Sequence, residues 1–138
     1  MPPPLERTPP IHRASAPWVG TEWIVDAIGC NPEALCDLSL LVDFCDVIVA
    51  DLGLHVIGKP LAHAFPPPGG VTVLLMLSES HLACHTYPEY GLATFNLYCC
   101  REREGWQWRE QLVSRLGANE VVIRQVPRGL LGQTRGSE

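Results

Sequence analysis

A chain of 138 residues with a net charge of −5 has the size of one domain and offers no basic surface to nucleic acid or an anionic membrane. Its 46% apolar and 18% charged residues match a soluble globular protein that buries roughly two thirds of its unfolded surface. No apolar run reaches the roughly 18 residues of a membrane span, and the opening MPPPLERTPP has prolines where a signal peptide has its apolar segment, so a cytoplasmic location is expected.

In chain order, residues 1–17 form a proline-rich tail expected to be disordered, and TEWIVDAIG (21–29) is a first strand ending at glycine. Asn31-Pro32-Glu33 is a helix start: a capping side chain, a proline at the first helical position, an acid in the first turn. Leu35, Leu40, Leu41, Phe44, Val47 and Ile48 then recur at helical spacing up to Gly53, with a kink placed around 36–38. HVIGKPLAHAF (55–65) reads as a strand broken at Gly58 and Pro60, hence at an edge or bulged. PPPGG (66–70) is a turn, and 71–78 is an apolar core strand. Strands over 81–87 and 92–100 flank the turn PEYG. A second helix over 106–116 stops at Gly117, a last strand covers 120–126, and 130–138 is a frayed tail. This order predicts an α+β fold: a two-layer sandwich of a mostly antiparallel sheet with helices packed on one face.

Chemistry is concentrated in 77–100, LSESHLACHTYPEYGLATFNLYCC. Cysteines stand at 30, 36, 45, 84, 99 and 100 with no CxxC pair, so free thiols are expected and no metal site. The residue types leave three readings open. His81 and His85 share a face of a regular strand, as a metal would need, but adjacent Cys99 and Cys100 point apart. A cysteine near a histidine allows a thiol nucleophile. Glu79-Ser80-His81 followed by His85 and Cys100 suits a chain that cleaves itself. There the serine hydroxyl attacks the preceding carbonyl, the peptide becomes an ester, and elimination leaves a pyruvoyl ketone with histidine moving the protons. Lys59, the single lysine, is expected at the surface.

SESHLACHTYPEYG resembles the processing motif of prokaryotic S-adenosylmethionine decarboxylases. In that motif a serine between glutamate and histidine precedes a histidine, threonine, aromatic residue, proline, glutamate, tyrosine and glycine. The likeness continues through Ala93, Leu97 and Cys100 at the family's spacing, and more loosely from Trp18 to Gly129. It implies a pyruvoyl-dependent decarboxylase domain over 18–129, cut between Glu79 and Ser80, whose cofactor is a covalent pyruvoyl group made from Ser80. By the same resemblance His85 assists processing, Cys100 returns a proton to the substrate carbon, Glu89 binds ribose hydroxyls, and Tyr87 and Phe65 stack on adenine. Thr72 keeps the hydroxyl of a serine that supports processing, and His81 has a supporting role. The implied partners are the small-molecule substrate and a second cleaved copy in a homodimer with sites near the interface, without nucleic acid or membrane.

Three positions depart from the family: Gly20-Thr21-Glu22-Trp23 replaces a glycine, basic residue and histidine, Asn96 replaces an aspartate, and Val73 a glycine. These leave arginine or ornithine as alternative substrates, and an uncleaved, non-catalytic partner subunit as an alternative of another kind. Ser80 and His85 are an odd number of residues apart, so a straight strand would separate them by roughly 16 Å on opposite faces. A bend or bulge just after Ser80 is therefore expected.

Overall fold

The computed structural model describes residues 17–100 and 105–131. The tails expected over 1–17 and 130–138 lie outside these residues except for Pro17, Leu130 and Leu131. Six strands, β1 (Trp18–Ile28), β2 (Leu61–Ala64), β3 (Val71–Met76), β4 (Ser80–Tyr87), β5 (Leu92–Cys99) and β6 (Glu120–Leu130), form one sheet in the order β2-β3-β4-β5-β1-β6. All its pairings are antiparallel. Helices α1 (Pro32–Leu35), α2 (Leu38–Asp51) and α3 (Trp108–Leu116) complete the α+β fold.

Strand alternation decides which face is covered. Val71, Val73 and Leu75 on β3, Leu82 and Cys84 on β4, Ala93, Phe95 and Leu97 on β5, and Val25 and Ala27 on β1 are buried. They share one core with Leu41, Phe44, Cys45 and Ile48 of α2 and with Trp108, Leu112 and Leu116 of α3. Each large side chain removed from water there contributes about 1.5–3 kcal/mol. Phe44 meets the rings of Phe95 and Trp106 edge-on at 5.4 and 5.7 Å, which joins the helices to the sheet.

Local signals set the helix ends. The Asn31 side chain accepts from Glu33 N at 2.9 Å, and Asp37 does the same for Leu40 N at 3.1 Å. That second cap turns the kink expected around 36–38 into a full break between α1 and α2. α3 ends at Gly117, whose φ of +73° only glycine adopts cheaply.

Two strands differ most from expectation. The 55–65 strand shrinks to β2 at the sheet edge, preceded by an isolated bridge between Val56 and Leu77. Its donors cannot follow a ladder through Gly58 and Pro60. β6 runs four residues past 126, because β1 offers partners as far as Trp18 opposite Leu130. Pro127 is tolerated there because β6 is an edge strand.

Thr86 is the buried polar residue of this interior. Its hydroxyl accepts from Val71 N at 2.8 Å and donates to Leu35 O at 2.7 Å, tying β4 to β3 and to the end of α1. Opposite Thr86, a Cβ on Gly70 would run into the Thr86 carbonyl oxygen, so the approach of the two strands requires glycine.

Candidate functional site

The face of the sheet away from the helices is bare and carries the titratable groups. His81, His85 and Tyr87 project there from β4, alternating with buried Leu82, Cys84 and Thr86. Cross-strand register sorts them into rows. His63, Thr72, His85, Thr94 and Asp26 lie in one row across β2, β3, β4, β5 and β1. Met76, His81, Tyr98 and Glu22 lie in another, two strand repeats away.

In the first row Thr72 Oγ1 and His85 Nδ1 are 3.1 Å apart, a bond the hydroxyl donates when Nδ1 holds a lone pair. His63 sits opposite Thr72, and its ring meets the Phe65 ring edge-on at 4.7 Å. Phe65 N bonds Gly70 O at 2.9 Å, which continues the β2–β3 ladder by one step. Gly70 thus lies between Phe65 and Tyr87, which are 50% and 39% exposed. Gly70 is held there by the Thr86 backbone, which occupies the place of its missing side chain. Glu89 is exposed in the short 3-10 turn Pro88–Tyr90 that follows Tyr87.

Ser80 and Cys100 stand at the other end. β3 and β4 are joined by the two-residue turn Ser78-Glu79, closed by Leu77 N to Ser80 O at 3.0 Å. The Glu79–Ser80 bond therefore lies where a tight turn enters a strand. Ser80 Oγ is buried and has no hydrogen-bond partner among the described residues. Cys100 follows the last residue of β5 and is half-buried.

The bend expected just after Ser80 is absent. The β4–β5 register is unbroken from Ser80 opposite Cys99 to Tyr87 opposite Leu92. β4 is paired on both sides, so a bulge would disrupt two ladders, and the chain reverses before Ser80 instead. Ser80 consequently shares the side of Leu82 and Cys84, while His85 faces the bare side roughly 16 Å up the strand. One chain brings Thr72 and His85 together, with Phe65 and Tyr87 close by, and leaves Ser80 and Cys100 apart from them.

Sequence reading did not assemble the second row. His81 Nε2 lies 3.2 Å from Asn96 Oδ1, Asn96 Nδ2 donates to one oxygen of Glu22, and Arg128 donates to the other. The His81 ring stacks on Tyr98 at 5.7 Å with 14° between planes. The Asn96 amide and the Arg128 guanidinium together hold the Glu22 carboxyl below the usual carboxylate range. The signal was the period of two: Glu22 and Asp26 on β1, and Thr94, Asn96 and Tyr98 on β5, alternate with apolar residues.

Cys84 is buried against Cys45, and this hydrogen bond together with burial pushes its thiol well above the ordinary range. Burial raises Cys30 likewise. Both are poor nucleophiles, which weakens a thiol-hydrolase reading at these positions. Among the described residues no three His, Cys, Asp or Glu side chains converge as a metal site would need. No helix among them is long and apolar enough to cross a membrane.

A small α+β domain with acid–base groups paired across one uncovered sheet face has the frame of an enzyme. Comparison with known proteins gives the family. The sequence profile described as S-adenosylmethionine decarboxylase matches residues 21–129. The S-adenosylmethionine decarboxylase proenzyme of Caldicellulosiruptor saccharolyticus is 32% identical over 116 residues, 83% of this chain and 92% of its own length. Proenzyme 2 of Bacillus anthracis is 39% identical over 113 residues, 80% and 89% of the two chains. The crystal structure of the Aquifex aeolicus adenosylmethionine decarboxylase superposes with a TM-score of 0.69 over 86% of this chain and 97% of that one, at 23% identity. That last likeness concerns the fold. The chain belongs to the S-adenosylmethionine decarboxylase family of lyases.

Proposed function

We propose that this protein is a proenzyme that cuts itself between Glu79 and Ser80 and then decarboxylates S-adenosylmethionine with the pyruvoyl group left at residue 80. The observation that carries the proposal is the Ser80 hydroxyl: buried, without a hydrogen-bond partner among the described residues, at the first strand residue after a tight turn. A hydroxyl used for structure would be satisfied, as that of Thr86 is. An unengaged one beside the carbonyl of Glu79 fits a precursor of the pyruvoyl group.

When formed, that group supplies a carbonyl electron sink for the electrons released as carbon dioxide leaves. The chain's own residues do the rest. Thr72 orients the His85 imidazole through the 3.1 Å contact, so that His85 can hold or move a proton at Nε2. Phe65 and Tyr87, on either side of Gly70, hold a flat base between them, and Glu89 in the next turn offers a carboxylate to ribose hydroxyls. Cys100, at the Ser80 end, is the thiol that gives a proton to the substrate carbon.

The separation of the two ends calls for a second protomer. A copy turned by a two-fold axis over the bare face brings the Cys100 side chain and the backbone of the Glu79–Ser80 turn of one chain towards the His85 and Thr72 end of the other. Leu74 and Met76, 45% and 62% exposed on that face, are apolar surface that such a partner would cover. Each complete site then draws groups from both chains of a homodimer.

Intact mass spectrometry tests the first half. The protein should run as fragments 1–79 and 80–138, the second carrying a ketone in place of its amine, and Ser80→Ala should remain one uncut chain. Co-expression tests the second half. A His85→Ala chain alone should stay uncut, and should be cut when paired with Ser80→Ala, which lends its His85 across the interface. A His85→Ala chain that stays whole in both cases would place the groups in one protomer.

Arginine is the second reading. The arginine decarboxylase proenzyme of Aeropyrum pernix is 44% identical over 61 residues, 44% of this chain and 46% of its own length. Carbon dioxide release from each substrate in turn decides between them, with S-adenosylmethionine expected to be consumed.

A further inference from the structure

The array at the Ser80 end of the bare face has no part in the steps outlined above. We infer that Asn96 and Glu22, clamped by Arg128, are positioning residues that fix the imidazole of His81 with its proton on Nε2 and its lone pair on Nδ1. The argument is one of donors and acceptors. An ionised carboxylate can only accept, so the atom of Asn96 that faces Glu22 must be the amide nitrogen. Its oxygen is thereby turned to His81, and an amide oxygen can only accept. His81 Nε2 must therefore carry the hydrogen of the 3.2 Å bond, which in the neutral ring leaves the lone pair on Nδ1. Arg128 takes the second oxygen of Glu22, so the carboxylate cannot rotate away and offer itself elsewhere.

The ring is held in its plane as well as by its nitrogen. Tyr98 lies parallel against it, and the Arg128 guanidinium sits 6.0 Å from the Tyr98 ring centroid, closing the far side of the stack. Four elements converge on one imidazole: β4 carries it, β5 supplies Asn96 and Tyr98, β1 Glu22 and β6 Arg128. Such an arrangement exceeds what the strands need to pair, because backbone ladders already join all of them.

The consequence rests on the self-cutting reading, whereas the geometry does not. His81 directly follows the serine of the bond that is cut. An imidazole fixed as Nε2–H has Nδ1 ready to accept a proton without a tautomeric exchange first. Asn96 and Glu22 then act on processing through His81, without touching the reacting atoms.

The test is long-range proton–nitrogen NMR of imidazole nitrogens in the Ser80→Ala chain, which stays one species whether or not the native protein cuts itself. His81 is assigned by the signal lost in His81→Gln on the same background. It should appear as a single tautomer protonated on Nε2, and Asn96→Leu should return it to the mixture of free histidine. Arg128→Gln, a milder change on the edge strand, should move it part of the way if Asn96→Leu does not fold. A His81 that is already mixed, is protonated on Nδ1, or ignores both substitutions overturns the inference. In chains that keep Ser80, Asn96→Leu should slow self-cutting at least about tenfold, a part of the roughly 100-fold or more that a general acid–base group supplies. Cutting at the native rate would overturn the functional half. A native protein that never cuts would bring down the proposed function and leave the NMR result to decide the array.

Discussion

The two faces of the sheet are built from the same strands and alternate residues, yet they differ in almost every physical respect. On the helix side Val73, Leu75, Leu82, Phe95 and Leu97 are buried within a continuous core. On the other side Thr72, His85, Asn96, Glu22 and His81 satisfy one another laterally, strand to strand, and remain reachable. The core is stored on one face and the laterally paired titratable groups stand on the other, at a spacing of one residue. Groups that pair across strands at a surface cost little to replace, while groups in a filled core have no room to adjust.

Substitutions at five positions bear on this contrast. The largest loss of stability is expected for Phe95→Ala, which empties the space between Phe44 and Trp108 and should cost about 3–5 kcal/mol in denaturant unfolding. His85→Ala on the bare face should move the same midpoint by no more than about 0.5 kcal/mol, and an equal loss at both sites would break the comparison. Next comes Thr86→Val, similar in shape but without the hydroxyl that serves Val71 N and Leu35 O. Leaving those two groups unpaired should cost about 1–3 kcal/mol, with Thr86→Ser retaining most of the stability.

Thr72→Val sharpens the contrast from the other side. It should leave unfolding nearly unchanged and slow self-cutting or turnover about 100-fold, while Thr72→Ser keeps the rate. The smallest effect is expected at Glu22. Its folded-state pKa is depressed, so its contribution is present above the unfolded value of about 4.3 and is lost as pH falls through the folded one. The Tm difference between the native chain and Glu22→Gln should therefore be a few degrees at most at neutral pH and close on acidification below about pH 4. A gap that persists there would mean that the carboxylate charge is not what holds the array.

Much of this was legible before any coordinates. Asn31, Gly53 and Gly117 mark helix ends because capping and positive φ depend on one residue and its neighbours. The α+β order follows from periodicity, and the family from one contiguous motif around Ser80. Local interactions are written locally, so the sequence by itself determined the elements, their order and the residues on which chemistry was expected.

Tertiary structure decided the rest. Whether Ser80 and His85 share a face depended on β4 being paired along both sides, which local sequence does not record. The His81 array joins residues 15, 74 and 106 positions apart in the chain. Their meeting follows from β1 lying between β5 and β6, a choice made by the whole sheet in burying one face. Alternation says that Glu22, Asn96 and Arg128 each look away from a core. Only strand order and register bring them to the same imidazole.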